Sequence, residues 1–154
     1  MVPVNATKLP RRGSPVIVLW YHERRTPACY PSLSTQEPPC RRPTPTGAAS
    51  GIGAGIASQL AEAGRHVIVS DLNLEAAEAV AAQIRAEGGS AEAVALDVTS
   101  QDSIDDALAA ISRPIDVLVN NAGLQHVSPL EEFPIEKWDF LVQVMLVGVA
   151  RLTR

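Results

Sequence analysis

The sequence predicts an α/β domain: a parallel sheet doubly wound with helices on both faces. Three observations carry the prediction. From Thr46 onward, short apolar runs alternate with helical patterns of ten to fifteen residues, the mark of consecutive βαβ units. Glycines cluster where the first helical pattern opens, at Gly47, Gly51 and Gly53. Polar residues close the apolar runs, at Asp71, Asp97 and Asn120. Right-handed crossovers bring those run ends to one edge of the sheet, outside the carboxyl ends of the strands, where such sheets bind ligands.

The chain changes character near Thr46. Residues 1–45 hold nine of the twelve prolines, both cysteines and one of the ten glycines, with a formal charge of +5. Residues 46–154 carry −9, giving the whole chain −4. The first part has no sustained period and is broken by proline, so it is expected to be a mostly disordered Pro/Arg-rich segment. Val16–Tyr21 is the one plausible strand in it. That run is too short for a signal-peptide core or a transmembrane span, so no membrane partner and a cytoplasmic location are expected. The acidic remainder argues against nucleic acid as a partner. Cys29 and Cys40, with no second pair and no histidine cluster, support no metal site.

Within 46–154 the elements follow in order. Gly51 to Ala63 reads as a helix with Ile52, Ile56, Leu60 and Ala63 on its inner face and Gly64 as its stop. His66 to Ser70 is a continuous apolar strand ending at Asp71. Leu74 to Glu87 is a helix with Ala77, Val80, Ala81 and Ile84 inward, closed by Gly88-Gly89. Ala91 to Leu96 is a strand ending at Asp97. Ser100 is an N-cap for a helix to about Ile111. Ile115 to Val119 is a strand running into Asn120-Asn121-Ala122-Gly123. Pro134 opens a last helix. From Phe140 to Leu152 it is apolar nearly all round, which predicts burial.

The glycine stretch, Gly-x-x-x-Gly-x-Gly, is neither the common Gly-x-Gly-x-x-Gly form nor a phosphate loop of the Walker type, since no Lys-Ser/Thr follows. Glycine allows positive φ and close approach of a ligand to the backbone. The helix that opens there offers unpaired N–H groups and a positive dipole end, which suit a pyrophosphate. Asp71 lies 24 residues after Gly47, at the end of the next strand. A carboxylate there can accept both ribose hydroxyls of an adenosine and would repel a 2′-phosphate, which argues for NAD over NADP. Asp97-Val98 stands where an adenine would lie, and Asp97 is equally well read as a turn aspartate before Thr99. Amides at Asn120-Asn121 can tie strand ends, and Ala122-Gly123 admits a ring close to the backbone.

Together, Thr46-Gly-x-x-x-Gly-Ile-Gly53, Asp71, Asp97-Val98 and Asn120-Asn-Ala-Gly123 resemble the classical short-chain dehydrogenase/reductases, over residues 46–154 and in register. The resemblance implies a Rossmann fold and NAD as cofactor. The implied cofactor set is Thr46, Gly47, Ser50, Gly51, Ile52, Gly53, Asp71, Asp97, Val98, Asn120, Ala122 and Gly123. Asn120 would also support the central sheet. The stretch Asn121-Ala-Gly-Leu-Gln-His-Val127 with Pro129–Pro134 and Trp138 is similar to the D-3-hydroxybutyrate dehydrogenases. That likeness implies a short 3-hydroxy acid as substrate, with the Gln125 amide on its carboxylate, and a homo-oligomer.

Three departures limit what the resemblance implies. The family's tyrosine, with a lysine four residues later, is absent: the tyrosines are Tyr21 and Tyr30, followed four residues on by Arg25 and Ser34. The serine that accompanies this pair is also absent, so no catalytic residue is assigned. An asparagine of the proton relay is replaced by Met145. The strand before the glycine turn reads Arg41-Arg42-Pro43-Thr44-Pro45. Its two prolines remove two donors on one side, so that strand is expected to be degraded and NAD binding weak or lost. The expectation is thus a truncated Rossmann fold, a partial oxidoreductase inactive by itself. The rival is a non-catalytic nucleotide-binding or oligomerising remnant, or an unstable gene fragment.

Overall fold

The computed structural model describes Leu19–Trp20 and residues 42–154; the expected disorder of 1–45 falls almost wholly outside the described residues. Five strands are seen: β1 (Leu19–Trp20), β2 (Pro43–Pro45), β3 (His66–Asp71), β4 (Ser90–Ala95) and β5 (Val117–Val119). The helices are α1 (Gly51–Glu62), α2 (Leu74–Ala86), α3 (Gln101–Ala110), α4 (Ile135–Val142) and α5 (Gly148–Thr153). A π-helical stretch, Gln143–Val147, joins the last two into one rod.

β3 pairs with β4 and β2 with β5, both in parallel. β1 lies antiparallel on the free edge of β5. A single bridge, Thr46 to Ser70, joins the two sets, so the order is β4-β3-β2-β5-β1. The core lies on both faces. On one, Ala57, Ala61, Ala77, Ala81 and Ile84 of α1 and α2 pack with Val67 and Val69 of β3. On the other, Ile68, Val94, Leu96 and Val98 pack with Ile104 and Ala107 of α3 and with Val144. This is the doubly wound α/β arrangement that the alternation of runs predicts.

Three expectations are corrected. β2 forms despite its prolines, and all three of its residues are buried. The reason is one-sided donation: Thr46 gives its N–H to the Val119 carbonyl at 3.0 Å, so Thr44 and Thr46 face β5 while both prolines face away from it. Arg42 anchors the strand's start, its N–H donating to the Asp116 carboxylate at 2.9 Å and its guanidinium to the Pro114 carbonyl at 2.9 Å. Second, the buried face of α1 is Gly53, Ala57 and Ala61, and Ile52 is 54% exposed. A stripe of small residues lets the helix sit close to β3. Third, the terminal rod is not enclosed. Only Val144 and Gly148 of it are buried, while Phe140, Met145 and Leu146 are exposed. A Cβ on Gly148 would lie 3.0 Å from the Val98 carbonyl oxygen, so glycine sets the closeness of that one contact.

Candidate cofactor cleft

The carboxyl ends of the four parallel strands converge on a cleft of about 480 Å³, within the range of small-molecule sites. Ten of the thirteen residues expected to bind cofactor or substrate line it: Gly47, Ser50, Gly51, Ile52, Gly53, Asp71, Asp97, Val98, Ala122 and Gly123. Thr46, Asn120 and Gln125 do not.

The floor is a knot of hydrogen bonds between β2 and β5. Thr46, 1% exposed, donates its hydroxyl to the Val119 carbonyl at 3.3 Å. The Thr46 hydroxyl oxygen in turn accepts the N–H groups of Asn121 at 3.0 Å and Ala122 at 2.9 Å. The Asn121 amide donates back to the carbonyls of Thr46 at 2.9 Å and Gly47 at 3.2 Å. Thr46 therefore holds the turn from beneath rather than facing the cleft. Asn121 does the tying that either asparagine could have done. The side-chain amide of Asn120 is buried, with no hydrogen-bond partner among the described residues.

The glycine turn is shaped by steric need at two positions. Gly47 has φ of 62°, and a Cβ there would stand 2.9 Å from the Ala122 Cα. At Gly53 a Cβ would overlap the Gly47 carbonyl oxygen and lie 2.6 Å from the Asn121 amide nitrogen. α1 begins immediately after Ser50, whose side chain makes no cap. Its first turn carries no acidic residue, whereas α2 has Glu75 there and α3 has Asp102. The start of α1 thus lines the cleft with no carboxylate in its own first turn.

Asp71 stands across from that turn. Its Oδ2 accepts the Ala49 N–H at 3.0 Å and its Oδ1 the Asn73 N–H at 3.1 Å. Asp97 takes the turn role: Oδ1 accepts the Thr99 N–H at 2.8 Å and the Thr99 hydroxyl at 2.6 Å. The Asp97 N–H donates to the Ser103 hydroxyl at 2.9 Å, and Ser100 caps α3 through the Ser103 N–H at 3.3 Å. Arg151 of α5 hydrogen-bonds the Thr99 carbonyl, pinning this loop from the terminal rod.

Sequence reasoning missed the apolar wall of the cleft, Leu72, Leu96, Leu124, Phe140 and Val144. Leu72 and Leu124 each directly follow a motif, which was the available signal; Phe140 and Val144 arrive only through the fold. Gln125 is exposed, next in the chain to Leu124. His126 meets Phe133 edge-on at 5.2 Å, and Phe133 meets Trp138 at 6.0 Å, so the histidine is an aromatic packing partner. No helix among the described residues is long and apolar enough to cross a membrane.

Comparison with known proteins agrees with this geometry. The family model described as short chain dehydrogenase matches residues 45–154. An uncharacterized oxidoreductase, YxjF, of Bacillus subtilis is 47% identical over 106 residues, covering 67% of this chain and 41% of that protein. Gluconate 5-dehydrogenase of Gluconobacter oxydans is 43% identical, covering 68% of this chain and 42% of that protein. Among solved structures, a gluconate 5-dehydrogenase from Burkholderia cenocepacia in complex with NADP and tartrate superposes with a TM-score of 0.69 at 38% identity, covering 73% of this chain and 46% of that one. The chain spans about two fifths of the length of these curated relatives. A glycine turn, its supporting strand knot and a family match over most of the chain agree: the protein belongs to the short-chain dehydrogenase family of oxidoreductases.

Proposed function

We propose that residues 45–154 are the cofactor-holding part of an NAD-dependent oxidoreductase that acts on the CH–OH group of a small hydroxy acid. The observation that carries the cofactor reading is the pairing of an acid-free helix start with Asp71 across one cleft. The N–H groups of the first turn of α1 would take the pyrophosphate, and the Asp71 carboxylate the adenosine ribose. Gly51 fits this, since nothing lies within 4 Å of where its Cβ would be. Val98 and Ala122 supply apolar surface for the rings. When bound, the nicotinamide supplies the hydride acceptor. The chain's own residues bind and orient it.

The cofactor choice is testable. Phosphate on the ribose would bring a second negative charge onto Asp71. NAD is therefore expected to bind more tightly than NADP by roughly tenfold or more, about 1.4 kcal/mol, in titration calorimetry on the whole chain. Asp71→Ala should close that gap. A preference for NADP, the ligand of the Burkholderia structure, would overturn the assignment. Because β2 is formed, the reason for expecting weak binding is gone, and measurable NAD affinity is expected.

For the substrate, gluconate in the relatives and 3-hydroxybutyrate in the likeness of Asn121–Val127 share one chemistry, a secondary alcohol on a carboxylate-bearing chain. The finer reading is 3-hydroxybutyrate, with the amide of Gln125, next in the chain to the lining residue Leu124, donating to the carboxylate. No tyrosine in the sequence has a lysine four residues on, so the pair that the resemblance assigns to the hydroxyl proton is missing from this sequence. The 154-residue chain is expected to reduce no NAD above a no-enzyme control with either acid; turnover with one of them would refute this and identify the substrate.

A further inference from the structure

The terminal rod meets the cofactor cleft in two ways. Phe140 and Val144 stand in its wall. The rod also holds the loop of residues 96–100, which joins β4 to α3 and belongs to neither. Asp97, Val98 and Thr99 of that loop line the cleft. Three residues of the rod touch it. Val144 packs in one core cluster with Val98. Gly148 lies so close that a Cβ there would stand 3.0 Å from the Val98 carbonyl oxygen and 3.1 Å from its side chain. Arg151 donates from its guanidinium to the Thr99 carbonyl. Spacings of four and three put these residues on one helix face. Within the loop, the bonds of Asp97 to Thr99 and Ser103 fix its shape. Apolar packing is non-directional, whereas a hydrogen bond fixes an angle as well as a distance. Arg151 is therefore the contact that sets where the loop sits against the rod, although it does not itself line the cleft.

We propose, on the reading of the cleft as an NAD site, that Arg151 is a positioning residue for the cofactor. By holding the Thr99 carbonyl it sets the wall formed by Asp97, Val98 and Thr99, and NAD affinity depends on how the rod is docked. Arg85 provides the contrast. Its guanidinium also donates to a backbone carbonyl, that of Ala91 at 3.0 Å, but neither residue lines the cleft.

Two measurements on the full chain test this. Arg151→Met keeps the apolar stem and removes the donors, and Arg151→Lys restores a donor. The first measurement is native-state hydrogen exchange without cofactor. The Thr99 and Ser100 amides bond to the Asp97 side chain and carbonyl within the loop. In Arg151→Met they should exchange roughly tenfold faster relative to the Val69 amide of β3, and in Arg151→Lys the ratio should return. The second is titration calorimetry with NAD. Affinity should fall about tenfold in Arg151→Met, recover in Arg151→Lys, and stay unchanged in Arg85→Met. NAD affinity unmoved by Arg151→Met, or an equal loss in Arg85→Met, would overturn the proposal. Weakened binding with unmoved loop exchange would mean that the cation attracts the cofactor directly, which also overturns it. An unaltered chain that binds no NAD would overturn the cofactor reading and this inference with it, whereas equal binding by the unaltered chain and Arg151→Met overturns this inference alone.

Discussion

At the scale of single residues, the centre of the molecule is one hydroxyl group. Thr46 Oγ1 makes one donated and two accepted hydrogen bonds, and through them holds Val119, Asn121 and Ala122 in place under the glycine turn. Thr46→Val keeps the shape and leaves two backbone N–H groups without an acceptor. An unmet buried donor costs about 1–3 kcal/mol. Urea unfolding should therefore show a loss of that order for Thr46→Val and little loss for Thr46→Ser. Equal stability of the two variants would mean that the knot does not hold the turn. The sequence placed Thr46 in the site because it opens the motif. Its role was hidden because its partners lie 73 to 76 residues away. Spacing could not choose between Asn120 and Asn121 for a similar reason: neighbours on a strand end point to opposite sides, and which side meets β2 depends on the register.

Elements were legible where the apolar period alone decides their faces. α2 buries Ala77, Ala81 and Ile84 as its pattern foretells, with Asn73 capping it through the Ala76 N–H at 3.1 Å. α1 is shifted because close approach to β3 selects its smallest residues, a preference that hydrophobicity does not register. β2 was misjudged because two prolines were counted as lost bonds without asking which neighbour they face. The terminal rod was misjudged in another way. An all-apolar helix requires cover, and the described chain covers only part of it. Phe140, Met145 and Leu146 stay 48%, 53% and 66% exposed, and exposed apolar surface promotes association. Sedimentation should show the chain self-associating, with Met145→Glu and Leu146→Glu together shifting it toward monomer. A monodisperse monomer for the unaltered chain would contradict this.

At the scale of the whole molecule, the order of elements and the gathering of ten expected residues at one cleft were readable in advance. Alternation of period and the position of each polar residue after its run determine topology, and topology determines the gathering. The substrate end was less readable, since Gln125 lies outside the lining and the apolar wall comes from distant elements. The bond from Thr46 to Val119 has a consequence for assembly. It closes a loop of 73 residues, whereas β3 meets β4 across 24. Loop-closure entropy grows as the logarithm of length, so the longer closure costs about 1 kcal/mol more. Non-local pairings are also the slow ones. The β3–α2–β4 unit can form from its own contiguous chain. The glycine turn meets β3 across 22 residues, through the Ala49 N–H on Asp71, while its bonds with Asn121 and Ala122 close loops of 74 to 76, so the slowest of its contacts are the ones that complete it.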